Sequence, residues 1–373
     1  MKNFQVSLLT SLLLACLSTL PFSCKKDKGE TASAGSNSNT RTTQEELDFV
    51  KSKAISMSEN PQGYWEATFE NNIVMILVPA SSFTMGNNDL DEDAVDGNNA
   101  FPIHQVNLSH YWLCKTPVTT GQFRAFVNET NYVTEVENSG HTGPYVYDFS
   151  EKAFTPKFGY NWDNAFKDVT ARYPELTVSN EHPVSCLTWD DCIAYTNWLK
   201  GKTGLNFTLP TEAEWERAAR GTDQRTYPWG NSVPDGTKAN YADAIFNQYF
   251  PGTEQAVVHA GVNDGYAITS PVTAFSAGVS PIGAYDMAGN LIEWVYDSEY
   301  VYSEDDIKDP INTNGDRKLQ RGGFWVGSAG RIGANPDEIK DGHNIRSDSR
   351  EGDDKNSADD HLGFRIAISY TAR

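Results

Sequence analysis

Turn-forming residues interrupt this chain so often that it has little room for long helices or long strands. It has 29 Gly and 17 Pro among 373 residues, and 12% of its residues are aromatic. Many turns need Gly and Pro, whereas many long apolar helices would not give a mean hydropathy of -0.52. The composition therefore predicts a loop-rich, aromatic-cored globular protein, and it excludes a disordered chain and a polytopic membrane protein.

The charge balance bears on the classes of partner. Lys and Arg number 30 and Asp and Glu number 50, which gives a formal net charge of -20. A surface this acidic repels a phosphate backbone, so we do not expect nucleic acid as a partner. A local basic patch remains compatible with this argument.

The first 24 residues have the pattern of an export signal. Lys2 is followed by a run over residues 4–22 that is apolar apart from Gln, Ser and Thr, and Cys24 comes soon after it. A small residue directly before a Cys resembles a bacterial lipobox, in which that Cys is lipidated. Cys16 also fits, but cleavage there would leave residues 17–22 on the mature protein, so Cys24 is preferred. An uncleaved anchor and an ordinary secretory signal are the alternatives.

This signal predicts where the protein is located and how the chain divides into segments. We expect a protein secreted through its signal and lipid-anchored in the cell envelope, at the outer membrane or the periplasmic face, with the membrane as one partner. Residues 1–24 are interpreted as the lipoprotein signal peptide, residues 25–63 as a tether with a short helix, and residues 64–373 as one domain. We find no repeat and no linker inside that last range.

Three cysteines remain in the predicted domain, namely Cys114, Cys186 and Cys192. Their odd number allows at most one internal disulfide, and buried free thiols are the favoured interpretation. The sequence has no CxxC pair, no HExxH and no GxSxG. It therefore lacks the usual signals of a zinc site, a thiol-redox site and a serine hydrolase.

Local patterns predict short strands and a few helices. Residues 72–79 are β-branched and apolar, which is typical of a buried strand, and residues 82–86 are expected to be its hairpin partner. The acidic run 89–98 is interpreted as a solvated loop rather than a metal loop, because it does not match an EF-hand. After Gly221 no long helix is expected. The expected helices lie over residues 118–132, from Thr188, and from Pro210 to Arg220.

Short sequence blocks span most of the predicted domain. The blocks are MILVP (75–79) with FTMG (83–86), TPVT (116–119), PVS (183–185) with WDD (189–191), LPTEAEWE (209–216), YPWGN (227–231), DMAGN (286–290) with EW (293–294), RGG (321–323) and GFR (363–365). In this order they resemble the signature of the formylglycine-generating enzyme (sulfatase-modifying factor) family. The resemblance implies one α+β domain with a C-type-lectin-like fold and little regular secondary structure.

The same resemblance implies a test for activity. Enzymes of this family that oxidise a substrate cysteine use two cysteines of their own, which bind copper, and these positions fall here on Gly327 and Ile332. No Cys follows Cys192, and soft Cu(I) prefers thiolate ligands. We therefore assign no catalytic residue and do not expect copper. His343 and His361 offer another metal two ligands, but they are interpreted as isolated surface residues.

The resemblance also implies two structural calcium sites. Carboxylate, amide and carbonyl oxygens are the ligands that Ca²⁺ prefers, and the residues at the family positions supply them. The first set is Asn240, Tyr241, Asp264 and Tyr266, and the second is Asp286, Gly289, Leu291 and Glu293. The alternative is that Asp264 and Asp286 simply begin turns.

Charged and aromatic residues inside the apolar blocks are expected to be structural. We expect buried ion pairs between arginines and the three glutamates of the helix after Pro210, and a tryptophan core. The residues concerned are Arg220, Arg321 and Arg365, Glu212, Glu214 and Glu216, and Trp189, Trp215, Trp229, Trp294 and Trp325.

Two classes of function follow. The favoured one is a membrane-anchored, non-oxidase binding or assembly module, similar in layout to family lipoproteins of gliding-motility or secretion machinery. Its loops after Arg321, with the acidic run between residues 348 and 360, would contact an envelope protein. The alternative is an oxidase of the formylglycine-generating type that acts on a cysteine of an exported sulfatase peptide, or an oxidative enzyme that uses another metal. The sequence leaves the question of enzyme activity open and favours its absence.

Overall fold

Short helices and short strands alternate along the chain in this computed structural model, which describes residues 43–87, 100–138, 140–253, 256, 258–327 and 345–370. Cys16, Cys24, Ile332, His343 and the acidic run 89–98 lie outside these residues. Within the described residues the α-helices are α1 Thr43–Lys53, α2 Thr120–Thr130, α3 Lys167–Arg172, α4 Trp189–Thr203, α5 Glu212–Arg220 and α6 Ala244–Tyr249. As predicted, no long helix follows Gly221 in this part of the chain.

The strands form four sheets in the described ranges. They are β1 Ser56–Glu59, β2 Trp65–Thr68, β3 Val74–Val78, β4 Ser81–Met85, β5 His104–Leu108, β6 Tyr111–Cys114, β7 Tyr145–Asp148, β8 Ala153–Pro156, β9 Phe207–Thr208, β10 Ile292–Ser298, β11 Ile307–Lys308, β12 Arg317–Arg321, β13 Arg350–Asp354, β14 Leu362–Phe364 and β15 Ala367–Ile368. The sheet orders are β1-β2-β3-β6-β15-β9, β13-β12-β10-β14, β11-β5-β4 and β7-β8.

The six-stranded sheet is buried on both faces at its central strands β3 and β6. On one face Met75 and Trp112 belong to one apolar cluster, and on the other Ile76 and Leu113 belong to a second. A strand covered on both faces has an apolar run instead of an alternating pattern. This burial explains the sequence of residues 72–79, and the predicted buried strand is confirmed as β3.

The predicted hairpin between β3 and its successor is wrong. Both edges of β3 are occupied, by β2 and by β6, and β4 pairs with β5 in another sheet. A central strand has no free edge for a hairpin partner. The chain instead leaves the first sheet at Pro79 and Ala80.

Capping side chains set the helix starts. At α4, Thr188 and Asp191 form the predicted reciprocal capping box, in which each side chain accepts the backbone amide of the other residue. Helix α5 begins at Glu212 rather than at Pro210, because the Thr211 side chain accepts the amide of Glu214 and caps the helix. Pro210 therefore lies one residue before the cap.

Residues ahead of the predicted domain start also pack into the fold. Val50 of α1 is fully buried in the core, and β1 pairs antiparallel with β2. The compact unit accordingly extends from Thr43 rather than from residue 64. None of the helices in the described ranges has the length and apolar character needed to span a membrane.

Most of the cysteines and tryptophans that the sequence predicts to be buried are buried in the structure. Cys114, Cys186 and Cys192 are buried free thiols, which confirms that prediction. The tryptophans divide into a buried group, Trp215, Trp294 and Trp325, and a partly buried group, Trp189 and Trp229.

Candidate functional site

A buried ion-pair cluster supports the loop that follows β12. We call it the Arg321 cluster, and it consists of Glu212, Glu216, Arg220, Arg321 and Arg350. Arg321 bonds both glutamates, Arg350 binds Glu212 with two bonds of 2.7 and 2.9 Å, and Arg220 binds Glu216 at 2.9 Å. Burial disfavours the charged form of Glu212, but Arg350 and Arg321 outweigh it and hold its pKa below the usual range. The predicted buried ion pairs of Arg220 and Arg321 with glutamates of α5 are confirmed.

A second buried ion pair holds the loop before β10. Arg365 donates to both oxygens of Glu293, at 2.6 Å each, and also to the carbonyls of Tyr285 and Asp286. Trp215 connects helix α5, which carries the glutamates of the Arg321 cluster, to the Arg365–Glu293 ion pair, because its indole nitrogen donates to Glu293 at 2.8 Å. Arg365 thus finds its carboxylate on β10 and not on α5. Glu214 accepts the Thr211 amide and the Ser369 hydroxyl.

Four residues of the first predicted calcium site lie together, in what we call the Asp264 pocket. The carboxylate of Asp264 accepts the amides of Tyr241 at 3.1 Å and Tyr266 at 2.8 Å. The side-chain oxygen of Asn240 is buried and has no hydrogen-bond partner among the described residues. Burial and the neighbouring Asp243 carboxylate raise the pKa of Asp264 to about 8. A buried carboxylate with an unpartnered amide oxygen in the same pocket is a donor set that fits Ca²⁺.

The second predicted set lies directly against this pocket. The amide of Asn290 donates to the carbonyl of Asn240 at 2.9 Å. Gly289 has a φ of +77°, and a Cβ there would lie 2.2 Å from the same carbonyl, so the contact requires glycine. Asp286 accepts the Asn290 side chain, and burial raises the pKa of Asp286 to about 7. Leu291 is fully buried.

The two calcium predictions therefore differ in how their carboxylates are used. Both oxygens of Glu293 already accept bonds from Arg365, whereas Asp264 accepts only backbone amides among the described residues. The donors of the Asp264 pocket consequently fit a bound cation better than those of the second set. Within the part of the chain that the structure describes, no three His, Cys, Asp or Glu side chains are arranged to hold a metal ion.

Gly327 lies in a tight turn after β12. Its amide donates to the carbonyl of Phe324 at 2.7 Å, and its carbonyl accepts the amide of Ala242 at 3.1 Å. A Cβ at this position would lie 2.8 Å from the Phe324 carbonyl oxygen and 3.1 Å from the Phe324 nitrogen. The turn is thus closed around a residue without a side chain.

Comparisons with known proteins agree with this architecture. The model of the sulfatase-modifying factor enzyme 1-like domain matches residues 62–370. The chain belongs to this family. The formylglycine-generating enzyme of Thermomonospora curvata is 36% identical over 234 residues, which cover 60% of this chain and 71% of that protein. The inactive C-alpha-formylglycine-generating enzyme 2 of Bos taurus is 31% identical over 306 residues, which cover 79% of this chain and 87% of that protein.

Solved structures show the same fold. PvdO from Pseudomonas aeruginosa has a TM-score of 0.54 at 23% identity, and the match covers 84% of this chain and 98% of that one. Treponema denticola variable protein 1 has a TM-score of 0.51 at 21% identity, with 79% and 95% covered. The predicted α+β fold with little regular secondary structure is thereby confirmed for this sulfatase-modifying factor domain.

One arrangement beside Gly327 was not foreseen. We interpreted His361 as an isolated surface residue, but its side chain is only 16% exposed, its ring stacks on Phe324, and its Nδ1 lies 3.0 Å from a carboxylate oxygen of Asp360. The available signal was the Asp-Asp-His triplet at residues 359–361, which Leu362 separates from the GFR block. The acidic run between residues 348 and 360 also differs from an exposed loop, because Asp348 and Asp360 are each 1% exposed.

Proposed function

We propose that this protein is a non-oxidase binding or assembly module of the sulfatase-modifying factor family, anchored in the cell envelope through Cys24. Gly327 is the observation that carries the proposal. It occupies the first of the two positions at which the family resemblance expects a copper-binding cysteine, and glycine supplies no donor. Ile332, at the second position, has no donor either. Cu(I) selects thiolate ligands, so the usual oxidative chemistry lacks its metal site.

The surroundings of that position support the same conclusion. The turn at Gly327 brings the Phe324 carbonyl within 2.8 Å of where a Cβ would be. Cys114, Cys186 and Cys192 cannot substitute, because each is at most 1% exposed and burial raises the pKa of each thiol. A thiolate is the form that binds metals, and these thiols are held in the other form.

The relatives are consistent with either class of function. One relative at 31% identity carries "inactive" in its name, which supports a non-oxidase member of the family. Another, at 36% identity, is a formylglycine-generating enzyme, which supports the oxidase alternative. Because the overall similarity does not separate the two, the residues at positions 327 and 332 carry more weight.

We further propose a structural calcium ion in the Asp264 pocket. The Asn240 side-chain oxygen and the Asp264 carboxylate would hold it, with backbone oxygens of Tyr241 and Tyr266 completing the set. A bound cation would supply the positive charge that the described residues do not provide beside Asp264. The loops around residues 240 and 265 have little regular secondary structure, so binding that is specific to the folded state would stabilise them. The second set, around Asp286, stays a prediction.

Mass spectrometry of a co-expressed peptide tests the central proposal. The full chain is produced with a sulfatase-derived peptide that contains a cysteine, with copper and oxygen supplied, and the Thermomonospora curvata enzyme serves as the positive control. We expect the cysteine to stay unmodified beside this chain. Its conversion to formylglycine would establish the oxidase alternative and end the proposal.

Fractionation and metal analysis test the remaining parts. We expect the full chain to sediment with membranes, and the Cys24→Ser variant to move to the soluble fraction, with Cys16→Ser as the matched control.

A pull-down of the lipidated protein from envelope membranes in mild detergent is expected to recover a fixed partner. Metal analysis is expected to find calcium without copper, and stoichiometric copper would contradict the proposal.

A further inference from the structure

A backbone hydrogen bond joins the Asp264 pocket to the turn that ends at Gly327. This turn, which we call the Gly327 turn, comprises residues 324–327. The amide of Ala242 donates to the carbonyl of Gly327 at 3.1 Å. Ala242 directly follows Tyr241, whose amide donates to the Asp264 carboxylate at 3.1 Å. The pocket and the turn therefore share one short segment of backbone.

A second connection runs through Asn290, which is fully buried. Its amide donates to the carbonyl of Asn240, another predicted calcium ligand, at 2.9 Å. Its carbonyl accepts the amide of Trp325, in the Gly327 turn, at 3.0 Å. Separating the pocket from the turn would leave these buried backbone groups without partners, which is unfavourable. The pocket and the turn are thus expected to open together.

Asp243 ties this segment to the loop that carries Asp264. One oxygen of its carboxylate accepts the amide of Asp264 at 2.6 Å. The other oxygen accepts the amides of Ile245 at 2.9 Å and Phe246 at 3.1 Å, and so caps α6. Because the Asp243 side chain is fully buried, it holds the backbone at Asp264 and the start of α6 in one arrangement.

Helix α6 in turn packs against the Gly327 turn. The ring centroids of Phe246 and Trp325 are 5.9 Å apart, and those of Phe250 and Trp325 are 5.8 Å apart. All three side chains are 1% exposed. A close-packed interior cannot accommodate a shift of α6 without moving the Trp325 ring. Asp243 is therefore linked to the turn through the helix that it caps.

Two buried carboxylates meet at the Asp264 pocket. Asp243 is 0% exposed and Asp264 is 8% exposed, and in the described part of the chain both accept hydrogen bonds only from backbone amides. Buried carboxylates without a cation are unfavourable, and the number of charged ligands sets how tightly Ca²⁺ binds. A calcium ion held by Asp264 would therefore also offset the charge of Asp243 and stabilise the segment that joins them.

We propose that calcium bound in the Asp264 pocket keeps the Gly327 turn closed, with Asp243 as the positioning residue that couples the two. An opening that separates Asn240 or Tyr241 from Asp264 would release the ion, so bound calcium suppresses it. Because the Gly327 turn bonds the same segment, its opening is suppressed too. A partner that contacts the turn would then bind in a calcium-dependent way. The inference rests on the proposed function, because it gives the proposed calcium ion a regulatory role at the residue that carries the non-oxidase proposal.

Amide hydrogen exchange of the full chain, read by mass spectrometry, tests the coupling. Calorimetric titration first gives the Kd for calcium, and exchange is then compared in EGTA and at about a hundredfold calcium excess over this Kd. We expect calcium to slow exchange at residues 240–243 and 324–327 by about tenfold or more, with a limit of about a hundredfold at this excess. Strand β1, which pairs only with β2 at the edge of its sheet, is the internal reference, and its exchange should stay within about twofold.

Variants at two carboxylates separate positioning from a merely structural role. Asp243→Ser keeps an N-cap oxygen for α6 but removes the carboxylate that accepts the Asp264 amide. It is expected to weaken calcium binding about tenfold, since one negative charge is lost, and at matched saturation to reduce the slowing at residues 324–327 below about threefold. A structural role alone would speed exchange equally in EGTA and in calcium. Asp235→Asn, which removes a half-exposed carboxylate paired with Lys238, is the matched control and should change neither value.

The possible results are distinct. Slowing at both ranges that Asp243→Ser reduces at 324–327 supports the coupling. Slowing at residues 240–243 without slowing at 324–327, or full slowing at 324–327 in Asp243→Ser, would overturn the coupling and leave the calcium proposal standing. Absence of calcium binding would overturn both. Formylglycine in the co-expressed peptide would overturn the non-oxidase proposal alone, so the failure of the inference and that of the proposed function are distinguishable.

Discussion

The stability of the calcium-free protein is expected to fall as the pH rises, because of Asp264. Burial, with the charge of Asp243, raises the pKa of Asp264 to about 8 in the folded state, whereas an unfolded Asp titrates near 3.8. Between these two values the folded state keeps a proton that the unfolded state has released. The contribution of Asp264 to stability therefore decreases with rising pH in this window, and this contribution is constant below about pH 4 and above about pH 8.

The size of the effect follows from proton linkage. One proton held only by the folded state costs about 1.4 kcal/mol of stability for each pH unit. From pH 5 to pH 7 the loss from Asp264 amounts to about 2.7 kcal/mol. Calcium at a hundredfold excess over its Kd stabilises by about 2.7 kcal/mol. Because calcium requires the ionised carboxylate, its effect should be small at pH 5 and large at pH 7.

Thermal unfolding in EGTA and in calcium, at pH 5 and pH 7, measures both effects. For a domain of this size we expect calcium to raise the Tm at pH 7 by about 5 °C and hardly at all at pH 5. Asp264→Asn should lose the calcium effect and the share of the pH effect that Asp264 contributes, whereas Asp286, with a pKa of about 7, keeps its own share. Asp235→Asn is the matched control, because this half-exposed carboxylate lies near in sequence and pairs with Lys238.

Two results would refute the reasoning. If Asp264→Asn keeps the pH dependence of the wild type, the proton is bound elsewhere. If the pH dependence weakens in the variant but calcium never raised the Tm of the wild type, the carboxylate is buried as described and the metal assignment is wrong.

Three further predictions concern the scaffold. Arg321→Ala leaves Glu212 and Glu216 buried without their shared cation. It should lower the free energy of unfolding, measured in guanidinium chloride, by about 3 to 5 kcal/mol. A loss below about 1 kcal/mol would contradict the structural role of the Arg321 cluster. Thr211→Ala removes the cap of α5 and should cost about 1 kcal/mol in the same assay, whereas Thr211→Ser should be nearly neutral. Gly327→Cys should lower the Tm, because the Cβ of the cysteine would meet the Phe324 carbonyl. Mass spectrometry of the co-expressed peptide should still find no formylglycine. An unchanged Tm would mean that the turn opens to accept the side chain.

Local features of the fold could be predicted from the sequence because neighbours along the chain determine them. The Thr188 cap and the buried β3 each follow from a short run of residues. Pairing between distant segments could not be predicted in this way. Glu212 and Arg350 bond each other across 138 positions, and β4 leaves β3 for β5. No periodicity in a loop-rich chain encodes such contacts.

The candidate site shows the same difference between features that neighbours in sequence determine and contacts between distant residues. The family resemblance assigned Asn240 and Asp264 to one predicted calcium site, and in the structure the amide of Tyr241, the neighbour of Asn240, donates to the Asp264 carboxylate. His361 was misread because its meaning depends on Phe324 and Asp360, of which only the second is its neighbour in sequence. The contact of His361 with Phe324 is visible only once the fold has brought the two residues together.

The contacts of Gly327 explain how a domain of this kind can keep its fold while the chemistry at one position changes. Arg321 anchors β12 through Glu212 and Glu216, and the amide of Gly289 donates to the carbonyl of Gly322 just beyond it at 2.8 Å. Gly327, five residues past that carbonyl, contributes only backbone hydrogen bonds to its surroundings. Glycine at position 327 therefore leaves every side-chain contact of the scaffold in place, which is the separation that the proposed binding module requires.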